Sequence, residues 1–374
     1  MTRPLAGPQT LLRTLNGRAI LEALARSGPR TRAELMSATG LSRTAVTQVL
    51  RMLETAGAVV PAGVDRDTRG PAAGRVSLHP HLGYAAAIHV DHHAAHVVLV
   101  DATGSVRAEA HGDFRTNDDR VACIAGLVDE CRRAAKGPLH MAVVAVPGAV
   151  TPDGGIRNDE GPDGGQFHTA LSATLGCDVR IENDVNLAAL AELTESTAGS
   201  LSSFALLLLV EDGLGAGIVI DGALHRGASG LAGEVMYLPQ SPLPIGAPVV
   251  SDVVVSDLAL THDRDPRAAL SVHLEAAAAG DEAALQIVAE VARRLVLIAG
   301  TMTLVLDPEA FILSGDAAHP VLAEAMVRVA EEFAPLLTVR FLIASFGVEA
   351  PLVGAVREAA SALRAMLFTR VLAT

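Results

Sequence analysis

The sequence predicts an α/β protein in which a winged helix-turn-helix precedes a larger, two-lobed body. Three observations indicate this fold class. Short amphipathic helices with capping residues fill the first part of the chain, and strands followed by helix-strand alternation begin at Gly83. The length of 374 residues also exceeds what one ordinary core needs. We therefore expect residues 1–80 to form the winged helix-turn-helix and residues 81–374 the body.

The composition predicts a folded chain without a membrane span. Half of the residues are hydrophobic, which is enough to bury substantial cores. The longest apolar runs, Phe204 to Val210 and Leu295 to Leu306, are shorter than the roughly 20 residues of a spanning helix. Met1 to Thr10 contains no apolar signal core. These features favour a cytoplasmic protein.

Charge is distributed unevenly along the chain. The formal net charge is −13, yet residues 1–80 contain 11 Arg, no Lys and five acidic residues, a net charge of +6. The remaining residues therefore carry −19. A basic front end on an acidic body suits a DNA-binding module, because phosphate attraction is confined to one end. A chance accumulation of surface arginines is the alternative.

Three predicted helices at the front of the chain have the order of a helix-turn-helix. Asn16 to Arg26 is amphipathic. Thr31 and Glu34 have the spacing of a capping box at the start of the second helix, and Gly40 provides a left-handed residue at its end. After a tight turn, Ser42 caps a third helix.

The third helix has one apolar and one polar face. Its apolar residues recur at helical spacing and are Val46, Val49, Leu50 and Leu53. Its polar face carries five residues that we expect to contact base edges or phosphates in the major groove of double-stranded DNA, namely Arg43, Thr44, Thr47, Gln48 and Arg51.

Two predicted strands, around Ala58–Val60 and Val76–Leu78, enclose a wing. We expect its tip to place Arg66, Arg69 and Arg75 against the DNA backbone or minor groove. The alternative is a winged helix that binds a partner protein through an arginine-rich face.

Beyond Gly83 the pattern predicts a mixed sheet covered by helices. Strands are expected at Tyr84–Val90, Ala95–Val100 and from Val106, followed by strands and helices in alternation. Phe204–Val210 and Gly217–Ile220 are expected to pair as a hairpin closed by the Asp221-Gly222 turn. Further strands are expected at Phe311–Leu313 and Val339–Ala344.

Several motifs in this body occur in the order found in one family. They are Val146-Pro147-Gly148, Glu182-Asn183-Asp184-Val185-Asn186, Gly215-Ala216-Gly217, Arg226-Gly227-Ala228-Ser229-Gly230 and Ala232-Gly233-Glu234. Together with the winged helix in front, the chain resembles the repressor branch of the ROK family of repressors and sugar kinases.

That resemblance implies an actin-like (hexokinase-like) fold of two lobes. Lobe I is expected at about 83–195 plus a C-terminal helix at about 354–374, and lobe II at about 196–353. It also implies a homodimer or a dimer of dimers.

The resemblance further implies a sugar-binding cleft. In the family's kinases the aspartate at the position of Asp184 is the general base, and the Asn-Asp pair binds sugar hydroxyls. We therefore expect Gly148, Asn183, Asp184, Glu234 and Tyr237 to bind a ligand. A carboxylate and an amide at a strand end provide complementary acceptors and donors for hydroxyl groups. The alternative for Asn183 and Asp184 is an Asx turn that only caps the following helix.

The chain departs from the family's kinases at three phosphate-facing places. The first loop reads Asp91-His92-His93-Ala94 in place of a Gly-Gly-Thr sequence. The second opens with Glu211-Asp212, whose carboxylates repel phosphate, and the third, Ser314-Gly315-Asp316, retains one glycine. Because phosphoryl transfer depends on positioning and charge stabilisation, we expect no kinase activity, no bound ATP and a vestigial Asp184.

No metal is expected either. Cys123, Cys131 and Cys177 have no CxxC spacing. The family's zinc motif is absent, and Tyr237 stands where its first histidine would fall. His89, His92, His93 and His96 invite a metal interpretation, but the absence of a ligand framework favours surface histidines.

The sequence therefore predicts a transcription regulator, more specifically a repressor, that binds a DNA operator and senses a sugar-like or other polar effector. Two alternatives stay open. One is an ATP-dependent sugar kinase with an added DNA-binding domain, and the other is a protein-interaction scaffold.

Overall fold

The structure is a computed structural model. It describes residues 8–65, 73–135, 137–157, 166–195, 200–210, 213–240, 248–334 and 337–373. These residues form two compact units. The first comprises the described residues of Met1–Val144, Phe167–Arg180 and Val356–Thr374, and the second those of Ala145–Gln166 and Ile181–Ala355. The domain limits expected at residues 80 and 195 differ from this division and stay predictions.

The front of the chain forms the predicted winged helix-turn-helix. Its elements are α1 (Pro8–Ser27), β1 (Arg30–Thr31), α2 (Arg32–Thr39), α3 (Arg43–Thr55), β2 (Val59–Asp65) and β3 (Ala73–Leu78). The three strands form an antiparallel sheet in the order β1-β3-β2. Helix α1 begins before the predicted Asn16, and the two-residue strand β1 was not predicted.

Local hydrogen bonds explain where the second and third helices begin. The Thr31 hydroxyl accepts the Glu34 N–H at 3.3 Å, and the Glu34 carboxylate accepts the Thr31 N–H at 2.7 Å. This is the predicted capping box, in which each side chain satisfies a backbone donor of the other residue. The Ser42 hydroxyl accepts the Ala45 N–H at 3.3 Å and starts α3. The tight turn between them fixes the angle of α3.

The body contains the remaining helices and strands. In chain order they are β4 (Tyr84–Val90), β5 (Ala94–Val100), β6 (Val106–Asp113), α4 (Asn117–Ala134), β7 (Leu139–Val146), α5 (Phe167–Leu175), β8 (Asp178–Asn183), α6 (Asp184–Glu195), β9 (Phe204–Val210), β10 (Gly213–Ile220), β11 (Ala223–Leu224), α7 (Asp252–Thr261), α8 (Leu270–Ala278), α9 (Glu282–Leu306), β12 (Ala310–Gly315), α10 (Pro320–Phe333), β13 (Phe341–Ile343) and α11 (Ala350–Ala373).

These strands form two five-stranded sheets within the described residues. One has the order β6-β5-β4-β7-β8, and β4, β5 and β6 are its antiparallel meander. The other has the order β11-β10-β9-β12-β13, in which β12 runs parallel to β9 and to β13. Mixed sheets covered by helices were predicted for this part of the chain.

The hairpin prediction was wrong in one detail. Strand β9 pairs with β10 along Phe204–Val210 and Gly213–Ile220, so β10 begins earlier than expected. The Asp221-Gly222 turn connects β10 to the short strand β11 instead. Asp221 adopts a positive φ of 51° there, which is the backbone conformation that such a turn requires. The connection between β9 and β10 contains Glu211 and Asp212, which lie outside the described residues.

Strand β9 is apolar along its whole length because both of its faces are covered. Leu206 and Leu208 pack into one hydrophobic cluster with side chains of α6. Leu207 and Leu209 point the other way, into the larger cluster that contains the buried side of α9. Successive residues of a strand face opposite sides, and a strand buried on both sides reads as a continuous apolar run. This strand is therefore central to the second unit.

Helix α6 lies directly against β10 at Gly217. A Cβ atom on Gly217 would come within 2.5 Å of the Val185 carbonyl oxygen and 2.6 Å of the Ala189 Cβ. Only a residue without a side chain permits this approach. The glycine run of this segment therefore has a packing role that places the first turn of α6.

We expect Gly217→Ala to lower the melting temperature, because the added methyl group forces α6 away from β10 at an overpacking cost of about 1–3 kcal/mol. Gly213→Ala is the matched control in the same strand, since its Cβ would meet only the flexible Met236 sulfur at 3.6 Å. Thermal unfolding followed by circular dichroism tests the difference. Equal melting temperatures of the two variants would contradict this account.

Candidate functional site

Helix α3 presents a polar face whose side chains are available for a partner. Val46, Val49, Leu50 and Leu53 are buried and fix the opposite face to the module. Arg43, Thr44, Gln48 and Arg51 are exposed, and their side chains have no hydrogen bond or ion pair within the described residues. The helix therefore holds the predicted DNA-contacting residues together on one surface.

Thr47 differs from its neighbours on this face. Its hydroxyl donates a hydrogen bond of 2.8 Å to the Arg43 carbonyl oxygen one turn earlier. Such a bond uses the only proton of the hydroxyl group. Thr47 therefore offers a partner its oxygen lone pairs and its methyl group.

Of the three arginines predicted in the wing, the structure describes Arg75. Arg66 and Arg69 lie outside the described residues. Arg75 was expected at the tip of the wing, and this placement was wrong: it lies inside β3, where its register partner in β1 is Thr31. The hydrophobic pattern that located the strand covers only Val76 and Leu78, whereas β3 begins at Ala73.

The second candidate site is built where β8 ends and α6 begins, in the second unit. The Asn183 side-chain amide donates to the Gly148 carbonyl oxygen at 3.0 Å, and its oxygen accepts the Asn186 N–H at 3.0 Å. One side chain thus joins the loop after β7 to the first turn of α6. The structure brings the predicted residues Gly148, Asn183 and Asp184 together.

A carboxylate that the sequence interpretation had not assigned to the site organises its base. Glu182 accepts the Asn183 N–H at 3.1 Å and the Asn186 side-chain amide at 2.9 Å. Its other oxygen accepts a 2.6 Å hydrogen bond from the Arg226 guanidinium. The part of this network that joins Glu182 to Asn183 and Asn186 lies within one sequence motif and was therefore visible in the sequence. Arg226 lies 44 residues away along the chain, and nothing in the local pattern indicated that pair.

The loop that follows β11 is held tightly against the loop after β7. Gly230 has a φ of 80°, and a Cβ at this position would overlap the Val150 carbonyl oxygen. Both features require glycine. This packing positions the segment from Arg226 to Glu234 beside the β8–α6 junction.

Asp184 and Glu234 are two carboxyl groups with perturbed acidity. Burial raises the pKa of Asp184 to about 7, the Val185 N–H opposes this shift, and repulsion from Glu234 adds to it. Burial also raises the pKa of Glu234. Removal from water disfavours the ionised form of a carboxyl group. Near neutral pH the pair therefore combines hydrogen-bond donors and acceptors, which suits hydroxyl groups.

Tyr237 is less clearly part of this arrangement. It closes a short 3₁₀ turn that Glu234 precedes, and its side chain is 46% exposed. Within the described residues, no hydrogen bond joins its hydroxyl to Asn183, Asp184 or Glu234. Its proposed role in ligand binding stays a prediction.

The first phosphate-loop position forms a tight turn stabilised by its own aspartate. The Asp91 carboxylate accepts the His93 N–H at 2.8 Å and the Ala94 N–H at 2.7 Å. The second position, Glu211-Asp212, lies outside the described residues. At the third, the buried Ser314 hydroxyl donates to the Gly347 carbonyl oxygen at 3.1 Å.

The histidines of the meander lie in register across the sheet. His89 pairs with His96, and His96 with His111, while His96 is 2.6 Å from a carboxylate oxygen of Glu109. Within the described parts of the chain, no three His, Cys, Asp or Glu side chains are grouped so that they hold a metal ion. No helix among these residues is long and apolar enough to cross a membrane.

Comparison with known proteins identifies the body. Residues 85–361 match the ROK family, and this range covers most of the chain. The chain belongs to the ROK family. Residues 18–70 match the MarR family, which supports the winged helix in front of the ROK domain. The sequence-based identification of the family and of the N-terminal module is thus confirmed.

Curated relatives are identical to this chain at about a quarter of the aligned positions. The xylose repressor of Caldicellulosiruptor bescii is 25% identical over 243 residues, which are 61% of this chain and 59% of that protein. The DNA-binding transcriptional dual regulator NagC of Escherichia coli is 24% identical over 247 residues, which are 63% of this chain and 60% of that protein. The chain thus spans about 60% of the length of these relatives.

Solved ROK structures confirm the predicted fold. A ROK family transcriptional regulator described as a homologue of the E. coli MLC protein has a TM-score of 0.74 at 19% identity, covering 97% of this chain and 100% of that one. A ROK hexokinase from Thermus thermophilus has a TM-score of 0.62 at 22% identity, covering 75% of this chain and 99% of that one. The winged helix with an actin-like body is therefore established as the fold.

We expect Asp184→Asn to stabilise the ligand-free protein more at pH 8 than at pH 5. The folded-state pKa of about 7 lies above the ordinary value of 3.8, so the folded state retains a proton that the unfolded state has lost. Stability therefore falls as pH rises from about 4 to 7, by on the order of 4 kcal/mol. Asparagine removes this dependence.

Melting temperatures of wild type and Asp184→Asn across this pH range measure the effect. Asp178→Asn is the control, because Asp178 is an exposed carboxylate at the start of the same strand, β8. If Asp184→Asn raises the melting temperature equally at pH 5 and pH 8, the Asp184 carboxyl group is not desolvated.

Proposed function

We propose that this chain is a DNA-binding transcription regulator, and specifically a repressor, that responds to a small polar effector and transfers no phosphate. The observation that carries the proposal is the partner-free polar face of α3 in a basic module. Relatives described as xylose repressor, N-acetylglucosamine repressor and transcriptional dual regulator support it.

DNA recognition is assigned to the first three turns of α3. Arg43 and Arg51 provide fixed positive charges for phosphate oxygens, and Gln48 provides an amide suited to the edge of adenine. The burial of Val46, Val49 and Leu50 fixes the orientation of this helix. A homodimer would present two such helices to half-sites separated by one helical turn of DNA or a multiple of it.

Effector recognition is assigned to Asn183, Asp184 and Glu234. Carboxyl groups partly removed from water form strong hydrogen bonds with hydroxyl groups. The Arg226–Glu182 pair neutralises one charge at the base of the site, so two carboxyl groups of raised pKa face the ligand. This charge pattern favours an unphosphorylated ligand, because neither carboxyl group attracts a phosphate group and an ionised carboxylate repels it. The effector class is a neutral, hydroxyl-rich metabolite such as a sugar.

The loss of kinase activity is assigned to the phosphate loops. A phosphate-binding turn must offer its N–H groups to the nucleotide. At Asp91 the two N–H groups of the turn already bind the aspartate of the same turn. The acidic pair Glu211-Asp212 adds negative charge in the sequence of the second loop. Both features oppose binding of a polyphosphate.

We expect Arg43→Ala and Arg51→Ala to weaken binding to all DNA sequences and to reduce the slope of log K against log salt by about 0.9 for each phosphate that is no longer neutralised. Gln48→Ala is expected to cost about 1–3 kcal/mol on the preferred site and little on random DNA. The measurement is fluorescence anisotropy over a salt series, with DNA fragments that the wild-type protein selects from a random pool.

Arg180→Ala provides the matched control, because Arg180 is an exposed arginine in β8 outside the predicted interface. Its affinity should equal that of wild type. If the wild-type affinity is insensitive to salt and to the α3 substitutions, the DNA-binding proposal fails and the protein-interaction alternative is favoured.

For the effector site, we expect D-xylose, N-acetylglucosamine or another unphosphorylated sugar to raise the melting temperature of the wild type. Asn183→Ala should weaken binding of that sugar at least tenfold, because the substitution removes both the bond to Gly148 and the cap of α6. Titration calorimetry measures the affinities, and Asp178→Asn is expected to bind as wild type does.

A coupled assay with ATP and the same sugars tests the absence of phosphoryl transfer. No turnover above the uncatalysed rate is expected. Sugar-dependent ATP consumption that Asp184→Asn abolishes would overturn the proposal and favour a kinase with an added DNA-binding module.

A further inference from the structure

A separate cavity lies in the first unit, where the winged helix meets the start of the body. Its volume is about 280 Å³. Pro61, Ala62 and Leu78 line it from the wing strands, Asp101 lines it from the turn after β5, and Arg107 lines it from the start of β6. Neither the predicted DNA face nor the site at Asn183 includes these residues.

Among the described residues, the one acidic side chain that lines this cavity is already saturated. One oxygen of Asp101 accepts the Thr103 N–H, the Thr103 hydroxyl and the Ser105 N–H. The other oxygen accepts hydrogen bonds from Nε and from one Nη of Arg107. A carboxylate with all of its acceptor positions in use has nothing to offer a ligand. The ion pair with Asp101 holds the Arg107 guanidinium in place. The second Nη of Arg107 stays available as a donor.

His79, which also lines the cavity, provides another donor. The Nδ1 atom of His79 accepts the His81 N–H at 3.0 Å, which places the ring proton on Nε2 in the neutral side chain. Within the described residues Nε2 has no hydrogen-bond partner. His79 and Arg107 thus each offer the cavity a hydrogen-bond donor.

Ser77 and Thr103 add two hydroxyl groups to the lining, and the Thr103 hydroxyl donates to Asp101. Most of the remaining lining consists of side chains with no hydrogen-bonding atoms, namely Val60, Pro61, Ala62, Leu78, Pro80, Leu82 and Ala102. Pockets with apolar walls and a few donors bind small molecules that combine an apolar body with an acceptor group. The cavity volume limits such a molecule to roughly the size of a benzene ring with a short substituent.

We propose that this cavity binds a small carboxylate with an apolar body, held by His79 and Arg107 and packed against Pro61, Ala62 and Leu78. Charged acceptors form the stronger hydrogen bonds with such donors. Occupancy connects the wing strands with the first sheet of the body, so the ligand restrains the orientation of the DNA-binding module.

Titration calorimetry with the full-length protein and three probes tests this proposal. Benzoate has both the carboxylate and the apolar ring, benzamide retains the ring without the charge, and acetate retains the charge without the ring. Benzoate is expected to bind at least tenfold more tightly than either of the other probes. The titrations contain no DNA, so their result is independent of the proposed function.

Two variants locate the binding. Ala62→Phe fills the cavity and leaves both donors in place, and His79→Ala removes one donor. Each should weaken benzoate binding about tenfold or more. His111→Ala, at an exposed histidine in β6, should bind as wild type does. Arg107 is left intact, because its removal would leave Asp101 buried without its charge partner.

The proposal is overturned if benzoate does not bind at millimolar concentration, or if benzamide binds equally well. It is also overturned if Ala62→Phe and His79→Ala both bind benzoate with the wild-type affinity. Melting temperatures of the ligand-free variants establish that each one is folded, so loss of binding in a folded variant supports the cavity as the site.

Discussion

The arrangement of the ligand site depends on the hydrogen bonds of the Asn183 side chain. With one amide it joins the loop after β7 to the first turn of α6, through Gly148 and Asn186. This position fixes Asp184 as the first residue of the helix. The close packing of α6 on β10 at Gly217 then holds that turn from the other side. Removing the amide would break both hydrogen bonds at once, so the same side chain supports the ligand site and the local fold.

The sequence was most informative where structure is decided locally. The capping box of Thr31 and Glu34 and the apolar stripe of α3 lie within one or two helical turns, and both were predicted correctly. Strand β1 was not predicted, because two residues have no periodicity and are strands only through their pairing with β3. Arg75 was misplaced for the same reason, since backbone pairing with β1 and β2 extends β3 beyond its apolar residues.

The ligand site was predictable in part. Asn183, Asp184 and Gly148 were found because they belong to motifs that the family resemblance supplies. The ion pair between Glu182 and Arg226 was not found, since its partners lie 44 residues apart in two separate motifs and neither motif indicates the other as its partner. The raised pKa of Asp184 is also invisible in sequence, because burial by surrounding elements causes it. A buried carboxyl group that lowers stability near neutral pH is typical of residues retained for binding.

The internal hydrogen bond of Thr47 has a consequence for reading DNA in the proposed complex. Because its hydroxyl proton is used by the Arg43 carbonyl, the side chain presents only an acceptor and a methyl group to the major groove. Cytosine and adenine offer amino groups that match the acceptor, and the thymine methyl packs against the Thr47 methyl. The major-groove edge of guanine offers two acceptors and no amino group. In the proposed complex the Thr47 side chain therefore matches the major-groove edge of cytosine, adenine or thymine, and it has no donor for the edge of guanine.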